Sequence, residues 1–417
     1  MKKTFIYAGS VGTGKSGKGS ISGSGEGVYS FLLEEDGLRP INVAESNNAG
    51  IICVSSDHKY IYAANETKDF DGGLNGSGGG VSAYRINEDG SLSKLNDSIS
   101  YGSRTSNVAV SKDGRYLLCS NHGSHTTVTC SYVKDEEGRW ILKRGFDDSS
   151  IASFHINEDG SIGELCDLKV FDGSGYWIYG GGQSTSHLHC VRVDDHGLVY
   201  GCNRGADEIE VLRLHEDGTL TVLNRYKTEK GYAPRHMEID KENDILYVCN
   251  ENYPCVSVYR VDPNNGELTH LQTIATMDEE YMKKHPLPHF EKEHCGRDEK
   301  NTSGMKDPEI RMPSDLHLSY DKRFLYVSNR SMFNKDNNGS IACFKVNEDH
   351  TLSFIEVFEL PGRDPRGFNT SQCDNHLIVG LCDANRICIY ETDEETGKIT
   401  SLVNEIESAS PASFVWL

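Results

Sequence analysis

The sequence predicts an all-β fold, a seven-bladed β-propeller built as one domain over residues 1–417. Three observations support it: a repeated turn, a repeated four-strand unit and complementary chain ends. Seven times, a short apolar and β-branched run ends in a tight, mostly Asp-Gly turn that leads into another apolar run. These turns begin at Asp36, Asp89, Asp159, Asp217, Asn265, Asp349 and Thr396. Repetition at this spacing is typical of units that bury their faces only by packing on one another.

The clearest unit, residues 233–273, predicts four strands separated by turn residues. They are Arg235–Ile239, Ile245–Cys249, Cys255–Val261 and Leu268–Thr273. The second strand of most units is followed by an asparagine, which is Asn65, Asn121, Asn203, Asn250 or Asn329. Four-stranded units of this length, repeated four to eight times, are propeller blades.

The chain ends predict how the ring closes. Thr4–Ala8 resembles a second strand, because no first strand precedes it, and Ala412–Leu417 resembles a first strand without its blade. We therefore expect the C-terminal strand to pair with the N-terminal blade, which leaves no open sheet edge.

Composition narrows the classes of partner. The net charge of −21 argues against nucleic acid or an anionic membrane as partner. No apolar stretch approaches the roughly 18 residues of a membrane span. The start Met1-Lys2-Lys3 leads into a strand rather than a secretory signal, and the thirteen cysteines form no CxxC pair. We expect a cytoplasmic protein without disulfides, and the sequence leaves a monomer and a homodimer both open.

Residues 9–16, Gly-Ser-Val-Gly-Thr-Gly-Lys-Ser, match the phosphate-binding pattern of nucleotide-binding loops. Gly12, Gly14 and Gly17 also match the dinucleotide fingerprint. Both motifs need a helix directly afterwards, because its N-terminal N–H groups bind the phosphate. Residues 17–25 are too rich in Gly and Ser to begin a helix, so we interpret this segment as a loop within the first blade.

The segment Met277–Arg311 contains a group of potential zinc ligands. These are His285, His289, His294 and Cys295. A His-x3-His pair on a helix can bind zinc, but Pro286 and Pro288 interrupt any helix between the first two histidines. We expect a solvated insertion and no metal site.

Polar side chains that interrupt the strand pattern collect where first strands begin and second strands end. These two points lie on the same face of the ring, because neighbouring antiparallel strands run in opposite directions. At the starts of first strands stand Ser186, His187, His189, Arg235, His236, Asp315, His317 and Arg366, and after second strands stand Arg204, Glu251 and Arg330. All belong to the predicted fourth to seventh blades. We expect a ligand site at one mouth of the central channel.

A purely structural role is the alternative for any one of these residues, as a solvated cap or a link between blades. A structural Arg would recur in every blade, however. The second and third blades instead have Asn65-Glu66 and Asn121-His122 at the corresponding positions. The set therefore predicts a small anionic substrate, since guanidinium groups bind phosphate and carboxylate oxygens in a bidentate manner.

The most specific stretch of this face is residues 233–237, Ala-Pro-Arg-His-Met, followed by 247–251, Tyr-Val-Cys-Asn-Glu. Here, and in the blocks 315–317, 325–330 and 364–368, the sequence resembles the seven-bladed propeller lactonase family. That family includes the propeller-type 6-phosphogluconolactonases of bacteria and the fungal carboxymuconate cyclases. The resemblance covers essentially the whole chain. It implies that the active-site cleft is lined by His187, Arg235, Glu251, Arg330 and Arg366.

The resemblance implies hydrolysis of a lactone. Water attacks the carbonyl carbon, which requires a base, a group that stabilises the oxyanion and a proton for the leaving alkoxide. Glu251 or His187 is the expected base, with the other orienting it. Arg235 is expected to hold the oxyanion or the carboxyl side of the substrate, and Arg330 and Arg366 the phosphate.

His189, His236 and His317 complete the predicted substrate contacts. No cofactor or metal is expected, because a lactone is already an activated acyl group. Insertions near residues 124–149, which contain a predicted extra hairpin, and 277–312 lie on the site face, where they could act as lids.

Two other functions stay open on the sequence alone. A carboxymuconate-type cyclase would use similar residues to close a lactone ring by giving a proton to a diacid. A propeller that only binds partners would favour aromatic residues and flat loops over clustered Arg and His.

Overall fold

Seven four-stranded antiparallel sheets form the described part of the chain, together with one extra hairpin and one short helix. The computed structural model describes residues 3–12, 23–35, 37–70, 76–124, 129–175, 183, 185–286 and 309–417. The predicted all-β, seven-bladed propeller is confirmed.

The strands follow the blades in chain order. Blade 1 begins with β1 (Thr4–Ser10), β2 (Gly27–Glu34) and β3 (Gly37–Glu45). Blade 2 has β4 (Ala49–Val54), β5 (Tyr60–Asn65), β6 (Gly80–Ile86) and β7 (Leu92–Ile99). Blade 3 has β8 (Thr105–Val110) and β9 (Tyr116–Asn121), the hairpin β10 (Thr129–Lys134) and β11 (Trp140–Gly145), then β12 (Ser149–Ile156) and β13 (Ile162–Phe171). Blade 4 has β14 (Leu188–Val193), β15 (Leu198–Asn203), β16 (Glu208–Leu214) and β17 (Leu220–Lys227).

The second half of the ring continues in the same way. Blade 5 has β18 (Pro234–Asp240), β19 (Ile245–Asn250), β20 (Cys255–Val261) and β21 (Leu268–Ala275), followed by the helix α1 (Glu279–Lys284). Blade 6 has β22 (Met312–Leu318), β23 (Phe324–Arg330), β24 (Ser340–Val346) and β25 (Leu352–Glu359). Blade 7 has β26 (Pro365–Thr370), β27 (His376–Leu381), β28 (Arg386–Thr392) and β29 (Ile399–Glu407), and β30 (Pro411–Trp416) ends the chain.

The ring closes as the chain ends predict. Blade 1 has the strand order β3-β2-β1-β30, so the last strand of the chain is the innermost strand of the first blade. Ile6 pairs with Trp416 and Ala8 with Phe414 across this junction. The N- and C-terminal segments thus share one sheet, and blade 1 is complete only when both are in place.

The hydrophobic core lies between the blades. The clusters of buried side chains each draw on neighbouring sheets, and one of them joins Tyr247 and Val258 of blade 5 to Leu316 and Leu325 of blade 6. Inner strands such as β19 are buried along their whole length, whereas most residues of outer strands such as β21 are half-buried or exposed. This gradient explains the apolar second strands that the sequence shows.

A repeated tyrosine explains why the turns recur. In four blades a tyrosine of the second strand donates its hydroxyl to a carbonyl oxygen in the turn of the next blade. The pairs are Tyr62 with Gly160, Tyr116 with Glu216, Tyr247 with His350 and Tyr326 with Gly397. The turn therefore supplies the acceptor that a buried tyrosine hydroxyl requires.

Each innermost strand contains a register irregularity close to its start. Single extra residues stand at Gly50, Ser106, His189, Arg235, Arg366 and Ala412. In blade 6 the two residues Ser314 and Asp315 lie opposite the single residue Ser328. The regular hairpin pattern of the sequence does not predict these β-bulges. Bulges turn side chains away from the alternation of a regular strand.

The insertions and motifs have different outcomes. The predicted extra hairpin in blade 3 is confirmed as β10 and β11. Of the Gly-rich motif, Gly9 and Ser10 belong to β1, while residues 13–22 lie outside the described part. Residues 287–308, with most of the potential zinc ligands, also lie outside it. Among the described residues, no helix is long and apolar enough to cross a bilayer.

Replacing Trp416 by alanine tests the closure. The side chain is 4% exposed and packs between blade 1 and blade 7, so we expect a loss of about 3–5 kcal/mol in the free energy of unfolding. The matched control is Trp140→Ala in the hairpin β10–β11, where the side chain is 69% exposed and the expected change is within about 0.5 kcal/mol. Equal urea midpoints for the two variants would contradict the role of the closing strand.

Candidate active site

The predicted site residues lie on one face of the ring, where innermost strands start and second strands end. His189, Arg235 and Arg366 are the bulged residues of blades 4, 5 and 7. The bulge in β18 lets two consecutive residues join the site, because Arg235 contacts Glu251 and His236 contacts Asp315. In a regular strand, consecutive side chains point to opposite faces.

Glu251 is the common partner of three buried arginines from three blades. Its Oε1 atom lies 2.8 Å from Nη2 of Arg330, and its Oε2 atom pairs with Nε of Arg204. Nε of Arg235 lies 3.7 Å from the same Oε2. Burial alone would raise the pKa of this carboxyl group, but Arg204, Arg330 and Arg235 together hold the pKa below its usual range. Glu251 is therefore a carboxylate fixed as a counter-ion.

Two further arginines complete a cationic mouth. Nη2 of Arg366 lies 3.5 Å from Oε2 of Glu66. Arg104 directly precedes β8, is buried, and its charge helps to lower the pKa of His187. Four of the five guanidinium groups, those of Arg204, Arg235, Arg330 and Arg366, thus share only two carboxylates, Glu251 and Glu66, among the described residues.

Beside the arginines lies a row of imidazoles. His187 donates from Nδ1 to the carbonyl oxygen of His122 at 2.9 Å, and the two rings stack with centroids 4.5 Å apart. His189 lies 5.4 Å from the ring of His122 and 5.1 Å from that of His236. Burial, followed by the charge of Arg204, lowers the pKa of His187 to about 3. This imidazole is therefore neutral, with its lone pair on Nε2.

Asp315 contacts two histidines, of which one is neutral and the other is positively charged. Nδ1 of His236 donates to Oδ1 of Asp315 at 2.8 Å, and burial followed by Arg235 lowers the pKa of His236 to about 3. His317 lies 3.3 Å from Oδ2 of Asp315 and 3.4 Å from Glu238. Burial opposes the charge of His317, but both carboxylates raise its pKa to about 10. His236 is thus neutral and His317 an imidazolium.

The structure brings most of the predicted site residues into one chain of contacts. It runs from His187 through His122 to His189, and on through His236, Arg235, Glu251 and Arg330. Arg366 joins it through Ser314, whose hydroxyl donates to the Arg366 carbonyl oxygen and whose own carbonyl accepts from Arg235. Both ring nitrogens of His317 lie within ion-pair distance of carboxylates, and His317 joins the chain of contacts through Asp315. The assigned roles of these residues stay predictions.

Sequence reasoning missed several members of the site. Glu66 and His122 were missed, although each directly follows the recurring asparagine of a second strand, as the predicted Arg204, Glu251 and Arg330 do. The sequence analysis used Glu66 and His122 as a contrast with the arginines, whereas the structure places both beside the site. Arg104 precedes the first strand of blade 3 as His187 precedes that of blade 4. Aligning the blades on the asparagine would have identified Glu66 and His122, and aligning the starts of the first strands would have identified Arg104.

Among the described residues, no three His, Cys, Asp or Glu side chains are arranged to bind a metal ion. The surplus of guanidinium groups instead favours an anion.

Comparison with known proteins identifies the family. Residues 6–416 match the family described as "Lactonase, 7-bladed beta-propeller". The chain belongs to this family of lactonase propellers. It is 24% identical to the 6-phosphogluconolactonase of Bacillus subtilis over 99% of its length and 98% of that protein. It is also 24% identical to the 6-phosphogluconolactonase of Formosa agariphila, over 92% and 93%. The solved periplasmic gluconolactonase of Pseudomonas aeruginosa superposes with a TM-score of 0.76 at 22% identity, covering 100% of this chain and 99% of that one.

Replacing Glu251 by glutamine tests its role in this lactonase propeller. The change removes the one carboxylate that three buried guanidinium groups share, so we expect a loss of about 3–5 kcal/mol in unfolding free energy. The control is Glu242→Gln, whose side chain is 79% exposed and pairs with Lys322 at 3.0 Å. That pair is expected to contribute no more than about 1 kcal/mol. Wild-type stability of the Glu251 variant would show that the arginines do not depend on it.

The neutral state of His236 predicts how stability depends on pH. Its pKa is about 3 in the folded chain and about 6.5 when unfolded, so below pH 6.5 the unfolded state binds the additional proton. The free energy of unfolding therefore keeps its full contribution from neutral His236 above pH 6.5. This contribution decreases as the pH falls from 6.5 towards 3, by about 1.4 kcal/mol per pH unit.

His236→Asn should therefore make urea unfolding less dependent on pH between 6 and 4. The exposed His215, replaced by asparagine, is the control and should leave the dependence unchanged. If the free energy of unfolding changed equally steeply with pH in wild type and in His236→Asn, a neutral buried His236 would be contradicted.

Proposed function

We propose that this lactonase propeller hydrolyses a phosphorylated sugar lactone, as the name 6-phosphogluconolactonase describes for its relatives. The observation that carries the proposal is the cationic mouth beside neutral imidazoles, in a chain whose net charge is −21. A local excess of guanidinium groups within an acidic chain attracts and orients an anionic substrate. The neutral imidazoles supply lone pairs for proton transfer.

The arginines divide between the two ends of such a substrate. The one ion pair that Arg366 makes with a described residue is the 3.5 Å contact to Glu66, so we assign its other donors to a phosphate. Arg235 is almost fully buried, and its Nε atom has no hydrogen-bond partner among the described residues. Burial and the charge of Arg330 lower the pKa of Arg235 to about 9. This value still lies above neutral pH, so Arg235 stays protonated there. We assign it to the oxyanion that forms when water attacks the carbonyl carbon.

An imidazole is better suited than Glu251 to be the base. Both carboxylate oxygens of Glu251 are in ion pairs, and its pKa is below the usual range, so it attracts a proton weakly. His187 and His236 each donate from Nδ1, so the neutral ring of each has its lone pair on Nε2. Of the two bases that the sequence analysis considered, the geometry favours His187 over Glu251.

We also propose that the protein acts in a reducing compartment such as the cytoplasm. All eleven cysteines whose side chains the structure describes are free thiols, which suits such a compartment. The location in the name of the Pseudomonas aeruginosa relative is a property of that protein.

An unphosphorylated sugar lactone is the second candidate substrate, because that relative is named a gluconolactonase. A direct comparison of 6-phosphogluconolactone with glucono-δ-lactone separates the two. We expect kcat/KM to be at least about 100-fold higher for the phosphorylated lactone, because charged hydrogen bonds to phosphate contribute roughly 1.5–3 kcal/mol each. A preference for glucono-δ-lactone would overturn the phosphate assignment, and failure to open any lactone would overturn the proposed function.

The variant Arg366→Ala sharpens the same comparison. It should lower kcat/KM for the phosphorylated lactone by about 10- to 100-fold and change that for glucono-δ-lactone by less than about threefold. Arg386→Ala, in the same blade and paired with Glu405 outside the site, is the control and should change neither. An equal loss on both substrates would exclude Arg366 as the phosphate ligand.

A further inference from the structure

We propose that His236, oriented by Asp315, is the group that takes the proton from water and gives it to the leaving alkoxide. The sequence analysis placed His236 among the substrate contacts, and neither its motif nor the comparisons assign it a chemical step. The inference rests on the proposed lactone hydrolysis and names the group that moves the proton.

The first support is the geometry of the pair. Nδ1 of His236 donates to Oδ1 of Asp315 at 2.8 Å, and both side chains are buried. A carboxylate on Nδ1 fixes the tautomer, so that Nε2 has the lone pair, and stabilises the imidazolium that forms when Nε2 accepts a proton. Nε2 of His236 is buried and has no hydrogen-bond partner among the described residues.

The second support is the irregular start of β22. At the bulge of blade 6, the two consecutive residues Ser314 and Asp315 lie opposite the single residue Ser328 of β23. The carbonyl oxygen of Ser314 accepts from Arg235, and the carboxylate of Asp315 accepts from His236. One bulge in blade 6 thus holds both consecutive residues of the bulge in blade 5. The oxyanion ligand and the imidazole are therefore positioned relative to one another by the same two residues.

The third support is the contrast with His187. Its Nδ1 atom donates to a backbone carbonyl oxygen rather than to a carboxylate. Burial and the charges of Arg204 and Arg104 oppose an imidazolium at that position. His236 also has an arginine beside it, but its ring donates a hydrogen bond to the carboxylate of Asp315.

The reaction balances without any co-reactant other than water. The water oxygen bonds to the carbonyl carbon of the lactone while one water proton moves to Nε2 of His236. The imidazolium is paired with Asp315, and the oxyanion with Arg235. When the ring C–O bond breaks, the proton on Nε2 moves to the departing alkoxide oxygen, and His236 returns to its neutral form. The products are the open hydroxy acid and the original enzyme.

The bound substrate also adjusts the base. In the free protein the charge of Arg235 helps to lower the pKa of His236. A phosphate carries about −1.5 to −2 charges at neutral pH, and its arrival offsets the arginine charges. The pKa of His236 therefore rises in the complex towards the working pH, where a general base is most effective.

The test uses the full chain and 6-phosphogluconolactone. His236→Asn keeps a donor for Asp315 but has no basic nitrogen, and we expect kcat to fall about 100-fold or more with KM within about threefold. Asp315→Asn should lower kcat in the same range. Asp240→Asn is the control, because Asp240 lies on the same strand β18 but pairs with Lys322 at its other end, and kcat should stay unchanged.

Chemical rescue separates proton transfer from a structural role. Added imidazole should raise the kcat of His236→Gly at least about tenfold. If His236 only supported the fold, added imidazole would leave the kcat of this variant unchanged. Circular dichroism and urea midpoints of each variant, with His236→Gln as a second replacement, show whether the chain is folded.

The outcomes are distinct. If the wild type opens the lactone but folded His236→Asn and His236→Gln keep kcat within about threefold, the inference is wrong and the proposed function stands. A rise in KM alone would return His236 to the substrate contacts and also overturn the inference. If the wild type opens no lactone, the proposed function fails and the inference fails with it.

Discussion

The antiparallel pairing of β30 with β1 is the constraint on which the rest of the structure depends. An open ring would leave blade 1 without its innermost strand and expose unpaired edges. With the ring closed, all innermost strands begin at the same face, and the residues after second strands meet around one mouth. Glu251 of blade 5 lies at this mouth between Arg204 of blade 4 and Arg330 of blade 6, and Arg366 of blade 7 meets Glu66 of blade 2 across the closed ring. The site is therefore a property of the closed ring and of no single blade.

The electrostatics of the mouth follow from burial. Removing several guanidinium groups from water costs several kcal/mol each unless a carboxylate compensates for them. Glu251 provides that compensation for three of them, and Glu66 for Arg366. The compensation is partial, which leaves a positive field inside a chain with a net charge of −21. Such a field steers small anions into the channel while the acidic exterior repels larger polyanions.

The fold could be predicted almost completely from the sequence, because repetition makes each blade confirm the others. The strands predicted between residues 233 and 273 lie within one or two residues of β18 to β21. The face of the site could also be predicted, since strand direction alone determines it. The bulges could not, because one additional residue in an innermost strand has no signature in an apolar pattern. The ion pairs of Glu251 could not be predicted either, because Arg204 and Arg330 lie 47 and 79 residues away from Glu251 in the chain.

The bulges and the arginine charges together explain how strong cations and neutral bases can share one small site. Arg235 and His236 are consecutive, and a regular strand would place them on opposite faces. The bulge brings both to the mouth, where the arginine keeps the imidazole neutral and the imidazole remains able to accept a proton. In the mechanism we propose, an anionic substrate satisfies the arginines and, by doing so, makes the neighbouring imidazole more basic. The proposal thus couples binding and proton transfer through that single pair of adjacent residues.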